Sequence, residues 1–174
     1  MKNVVLVVAF DGFQQMEYAH TKAKIEAAGF TVITASTKKG AAVAKDGSTA
    51  AVDILIQDID PQKYAGIFFI GGPGALDDLD NDQSYQLIQK SAALHKPLGA
   101  ICISTRILAH AGILEGKKAT GWNGDNQLPA IYKEHNVIYT QEPVTVDGTI
   151  ITAVGPDQAH DFGKAIVTLL KQIA

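Results

Sequence analysis

The chain has 174 residues, 47% of them hydrophobic and 19% charged, with 15 Lys plus Arg against 18 Asp plus Glu for a net charge of -3. That length suits one domain, residues 1–174, able to bury about 70% of the surface its unfolded form exposes, and the slightly acidic balance supplies no electrostatic footprint for nucleic acid. No stretch approaches the ~20 apolar residues of a membrane helix, and one cysteine can close no internal disulfide and build no thiolate-rich zinc site, so we expect no nucleic-acid partner, no membrane, no metal and a reducing cytoplasm.

Residues 3 to 9 form a β-branched run that reads as a first strand, since Asp11-Gly12 follows where a signal peptide needs a small-residue cleavage site. Phe13, Met16, Ala19, Ala23 and Ala27 then recur at helical spacing up to Gly29. Thr31 to Ser36 is a second strand, and the runs Ala41 to Lys45 and Thr49 to Asp53 around Asp46-Gly47 predict a hairpin. Ile67 to Ile70 is apolar throughout, as in a parallel strand covered on both faces, and it stops at Gly71-Gly72-Pro73-Gly74. A helix from about Asp82 to His95 leads through Pro97 into a strand that ends at Cys102, where a short helix begins and runs to Gly112. Lys117 to Trp122 reads as a strand, Leu128 to His135 as a helix, Pro143 to Ala153 as a hairpin, and a last helix opens at Gly155-Pro156-Asp157. Strands alternating with helices predict an α/β fold with a mostly parallel central sheet, its site beyond the carboxyl ends of the strands.

Cys102 occupies such an end, on the turn that opens a helix, where unpaired backbone N–H groups bias a thiol toward the nucleophilic thiolate. The alternative is a small buried hydrophobe with no chemistry. Gly71 and Gly72 let backbone amides approach a bound oxygen and, with the amide of Ile103, can form an oxyanion hole, or they are simply a tight turn. The acidic residues Asp77, Asp78, Asp80 and Asp82 would repel a phosphate, and Gln83 and Gln89 stand where a calcium loop needs glycine and glutamate.

Glu17, beside Met16, is expected on the helix face that packs against the sheet, where a carboxyl must be protonated or paired; the other reading is a solvated first-turn glutamate paired with His20. His20 and His160 are the two histidines nearest in placement to a Cys-His pair, and Trp122 either lines the pocket or packs in the core.

Met16-Glu17, Gly71-Gly72 and Ala100-Ile-Cys-Ile-Ser104, with Gly155-Pro156 and Ala111 to Thr120, together resemble the ThiJ/PfpI superfamily, also called the DJ-one superfamily. The resemblance implies a flavodoxin-like three-layer sandwich and a homodimer. It makes Cys102 the nucleophile on a strained turn, Glu17 its carboxyl partner, and Gly72 with Ile103 the oxyanion amides. Many relatives place a histidine where this chain has Trp122, and the peptidase-like branch has one where Ile103 stands, so a Cys-His peptidase is disfavoured. An amidotransferase wants a His-x-Glu pair, whereas Asp161-Phe162 follows His160. The remaining expectation is a cofactor-free enzyme acting on a small-molecule carbonyl substrate, in glyoxalase or deglycase fashion. Its alternative is a redox-sensing or stress-response protein whose cysteine stops at sulfinate.

Overall fold

The apolar run after Lys2 becomes β1 (Asn3–Val7) in a computed structural model that describes residues 2–173. Val4 through Ala9 have no exposed surface, as a strand covered on both faces requires. Next come β2 (Asp11–Phe13), α1 (Gln15–Ala27) and β3 (Thr31–Ser36). The Asp46-Gly47 turn joins β4 (Gly40–Ala44) to β5 (Thr49–Val52). The short β6 (Ile54–Leu55) precedes β7 (Gly66–Phe69), α2 (Ala75–Leu79), α3 (Asp82–Ala93) and β8 (Leu98–Ile101). A single turn, Cys102–Ser104, runs into α4 (Thr105–His110). After it come β9 (Lys118–Ala119), α5 (Leu128–Glu134), β10 (Ile138–Tyr139), β11 (Val144–Asp147), β12 (Ile150–Ala153) and α6 (Ala159–Ile173).

The fold is a flavodoxin-like α/β sandwich around a seven-stranded sheet in the order β11-β12-β8-β7-β1-β3-β6. Every pairing in it is parallel except that of β11 with β12. From β1 the chain works outward through β3 to β6, then returns to β7 on the other side of β1, so the strand order reverses between β1 and β7. A crevice opens beyond the carboxyl ends of strands at such a reversal. The chain leaving β1, the glycines after β7 and Cys102 after β8 all meet there. A separate three-stranded sheet, β2-β4-β5, stands beside it. No helix among the described residues is long and apolar enough to cross a membrane.

Three expectations need correction. α1 forms, but it turns Glu17, Thr21 and Ile25 inward, while Met16 is 43% exposed and Ala19, Ala23 and Ala27 also face outward. Phe13 belongs to β2 rather than to the helix. The strand expected at Lys117–Trp122 is only Lys118–Ala119, because the chain then leaves its partner: the Thr120 amide donates to Thr152 Oγ1 at 2.9 Å and the Trp122 amide to the Cys102 carbonyl at 3.3 Å. The acidic run spans α2 and the start of α3, and two of its carboxylates are engaged in structure. Asp78 accepts from the Phe10 amide at 2.6 Å and from Thr37, and Asp80 accepts from Tyr85 at 2.6 Å and meets His110 at 2.8 Å.

Candidate active site

Cys102 has φ = 63°, a left-handed conformation that a residue with a side chain adopts at a cost of about 1–3 kcal/mol. Its surroundings hold it there. The Cys102 carbonyl accepts from Thr105 Oγ1 at 3.0 Å and from the Trp122 amide, while Ser104 Oγ donates to the Ile70 carbonyl at 2.7 Å and ties the turn to the end of β7. The result is a sharp strand-to-helix turn that presents the half-buried sulfur at the crevice. The backbone amides of Ile103 and Gly72 lie beside that sulfur and favour its charged form.

Glu17 is fully buried beneath it. Its Oε2 accepts from the Gly71 amide at 2.8 Å, the carboxyl is close enough to the Cys102 thiol for the two to influence each other's ionisation, and Oε1 has no hydrogen-bond partner among the described residues. Burial is the main reason the carboxyl is pushed up to about 7, against the pull of the Gly71 hydrogen bond and of the bond to Cys102. The thiol is pushed up as well, first by burial and then by the negative charge of Glu17, with the Ile103 and Gly72 amides opposing both. The sulfur is therefore not acidified by its seat at a helix end, contrary to the sequence expectation: the turn before α4 supplies one amide, that of Ile103, the loop after β7 supplies the other, that of Gly72, and desolvation outweighs them. Thiol and carboxyl act as one pair that holds a proton between them.

Of the three amides expected to form an oxyanion hole, those of Gly72 and Ile103 face the reactive atom, while that of Gly71 is taken by Glu17. Gly71 has a different task. A Cβ on it would stand 2.5 Å from Cys102 Cβ and 2.8 Å from Glu17 Oε2, so glycine is what lets the carboxyl reach the thiol.

Above the sulfur lies a cavity of about 320 Å³ whose wall includes Gln14, Lys45, Pro73, Trp122 and Pro156. Trp122 thus lines the pocket. Its ring is fixed from behind by the Arg106 guanidinium, 5.6 Å from the ring, and Arg106 is itself clamped by Asp125 at 2.6 and 3.0 Å. His20 and His160 do not reach the cavity; their rings stack on each other at 4.2 Å where α1 meets α6. The sequence reading missed Gln14, Lys45 and Arg106. None of the three left a trace in the spacing, since Cys102 lies on the turn before α4 rather than in the helix that carries Arg106. Among the described residues no three His, Cys, Asp or Glu side chains converge as metal ligands.

Comparison with known proteins agrees with this fold. An uncharacterized protein of Methanocaldococcus jannaschii is 35% identical over 175 residues, spanning 99% of this chain and 85% of that one. A deglycase of Pyrococcus abyssi is 27% identical and spans 96% of this chain and 99% of its own. The crystal structure of a ThiJ/PfpI domain protein from Brachyspira murdochii has a TM-score of 0.94 at 29% identity and covers 100% of this chain and 99% of that one. Residues 2–169 match the DJ-1/PfpI family as a whole, and the chain belongs to that family.

Proposed function

We propose that the protein is a cofactor-free enzyme whose Cys102 attacks small reactive carbonyls, in the manner of a glyoxalase or deglycase. The observation that carries this reading is the thiol–carboxyl pair of Cys102 and Glu17 facing a cavity, with the Gly72 and Ile103 amides beside the sulfur. The name deglycase borne by relatives such as that of Pyrococcus abyssi supports the same class of chemistry.

With methylglyoxal the atoms balance as follows. Glu17, as carboxylate, takes the thiol proton; the sulfur bonds to the aldehyde carbon, and the carbonyl electron pair moves to oxygen, which the two amides stabilise. Return of the proton to that oxygen gives a hemithioacetal. Glu17 next removes the proton on the former aldehyde carbon and delivers it to the adjacent carbon while the hydroxyl proton passes to the neighbouring carbonyl oxygen, so one carbon is oxidised as its neighbour is reduced. Water then cleaves the resulting thioester, freeing lactate and the thiol. No histidine is needed, in keeping with Trp122 on the wall.

Cys102→Ala is expected to lower lactate formation from methylglyoxal by at least a thousandfold with an unchanged circular-dichroism spectrum, since the change removes one sulfur and relieves nothing in the core. Equal rates for the two proteins would refute the reading.

The same donors favour a second reading, in which two peroxide molecules each transfer one oxygen to Cys102 and leave as water. The amides of Gly72 and Ile103 and the protonated Glu17 would then hold the sulfinate. Intact mass after mild peroxide should show two added oxygens on the wild type and none on Cys102→Ser. A wild type that takes up no oxygen excludes this use of the site.

A further inference from the structure

We infer that the cavity selects carbonyl compounds that carry an anionic group, a carboxylate or a phosphate, and that Lys45 is the residue that sets this preference. The inference rests on the carbonyl reading above and extends it to the class of substrate.

Among the described residues Lys45 is the only formal charge on the cavity wall, since Glu17 lies beneath the sulfur rather than on the wall. It forms no ion pair within 4.0 Å among the described residues. The carboxylate next to it in sequence, Asp46, is bound to Ser48, accepting from its amide at 2.9 Å and its hydroxyl at 2.6 Å.

The position of Lys45 is fixed by backbone. The Lys45 amide donates to the Phe13 carbonyl at 2.8 Å, and the Ala44 amide to the Ser48 carbonyl at 2.8 Å, so the tip of the β4–β5 hairpin is fastened to β2 immediately before Gln14. Gln14 is the second wall residue from this small sheet, and its Oε1 accepts from the Met16 amide at 3.1 Å, which leaves its NH2 as a donor. Lys45, whose side chain is exposed and can swing its ammonium over the mouth, and Gln14 therefore border the same space as Gly72 and Ile103, in a protein whose net charge is -3. A three-carbon oxoaldehyde fills only part of about 320 Å³. The remainder suits a tail with acceptor oxygens, and a cation in a concave wall focuses its field on such a tail.

The test reads ratios between an anionic and a neutral compound of similar size. For turnover, these are kcat/KM for 4,5-dioxopentanoate over 2-oxopentanal and for hydroxypyruvaldehyde phosphate over hydroxypyruvaldehyde, all 2-oxoaldehydes, which separate a carboxylate from a phosphate preference. For the site alone, independent of turnover, the ratio is that of Cys102 alkylation by iodoacetate over iodoacetamide, followed by intact mass. Lys45→Ala should lower the alkylation ratio and at least one turnover ratio about fivefold, the size of one charge–charge contact across water at ~4 Å. Lys45→Glu should lower them further, about 25-fold in all, and Lys45→Arg should restore them. An alkylation ratio that does not move in Lys45→Ala and Lys45→Glu overturns the inference, as do turnover ratios that both stay fixed while Cys102-dependent turnover persists. A falling alkylation ratio with no Cys102-dependent turnover of any of these carbonyls would uphold the anion preference of the site and refute the carbonyl enzyme instead.

Discussion

Gly71→Ala is expected to destabilise the protein by roughly 3 kcal/mol or more and to disable Cys102 together with it. The added methyl would stand 2.5 Å from Cys102 Cβ, 2.8 Å from Glu17 Oε2 and 3.0 Å from the Ile101 carbonyl oxygen, and two of these three neighbours are the chemical pair itself. Overpacking a tight interior costs about 1–3 kcal/mol. Displacing Glu17 from the Gly71 amide adds the loss of a hydrogen bond to a buried charged group, about 1.5–3 kcal/mol. The control is Gly155→Ala, where a Cβ meets nothing within 4 Å and the backbone is extended, so stability should hold or rise slightly. Urea unfolding of the two variants checks the pair of expectations. A Gly71→Ala protein with the wild-type midpoint and slope would show that the crowding at this position is easily relieved.

Glu17→Gln should stabilise the protein at alkaline pH while removing its reactivity. The folded-state pKa of Glu17, about 7, lies above the reference value of 4.5 because burial penalises the charged form, so the native state holds this proton more tightly than the unfolded chain. The stabilising contribution of that proton is complete below the unfolded value and is lost as pH rises through the folded one. Relative to glutamine, which cannot ionise, the wild type should therefore lose roughly 3 kcal/mol between about pH 4 and pH 8. Glutamine can keep the acceptor for the Gly71 amide and offer an N–H to the sulfur, so it imitates the protonated acid. Urea midpoints of both proteins at the two ends of this range measure the difference; a gap independent of pH would mean that Glu17 does not change its charge there. Reactivity moves the opposite way. Alkylation of wild-type Cys102 should rise through pH ~7 as the pair gives up its first proton, and this limb should be missing in Glu17→Gln.

The parts of the fold that could be read in advance were those whose chemistry repeats along the chain. β1 and β7 stand out because a parallel strand buried on both faces is apolar at every position, and both hairpins announce themselves by Asp-Gly turns. α1 misled because its inward face, Glu17, Thr21 and Ile25, is the more polar one, while its alanines and Met16 look outward. Periodicity assigns the oily stripe to the core, and here a buried carboxyl takes that place for the sake of the site. The cysteine, its glutamate and the paired glycines could be named because they stand at ends of elements and match a known family pattern. Lys45 and Gln14 could not, since they reach the cavity through the pairing of β2 with β4, a contact between segments about thirty residues apart whose register no local pattern encodes. For the same reason, the stacking of His20 on His160 depends on how α1 crosses α6.

The chain contains one tryptophan, and it stands on the wall of the cavity against a guanidinium. All indole emission from this protein therefore originates beside the thiol, free of background from elsewhere in the chain. Ligand entry, adduct formation or oxidation at the sulfur changes the surroundings of that one chromophore, so occupancy can be followed by intrinsic fluorescence in the unlabelled, unmutated protein.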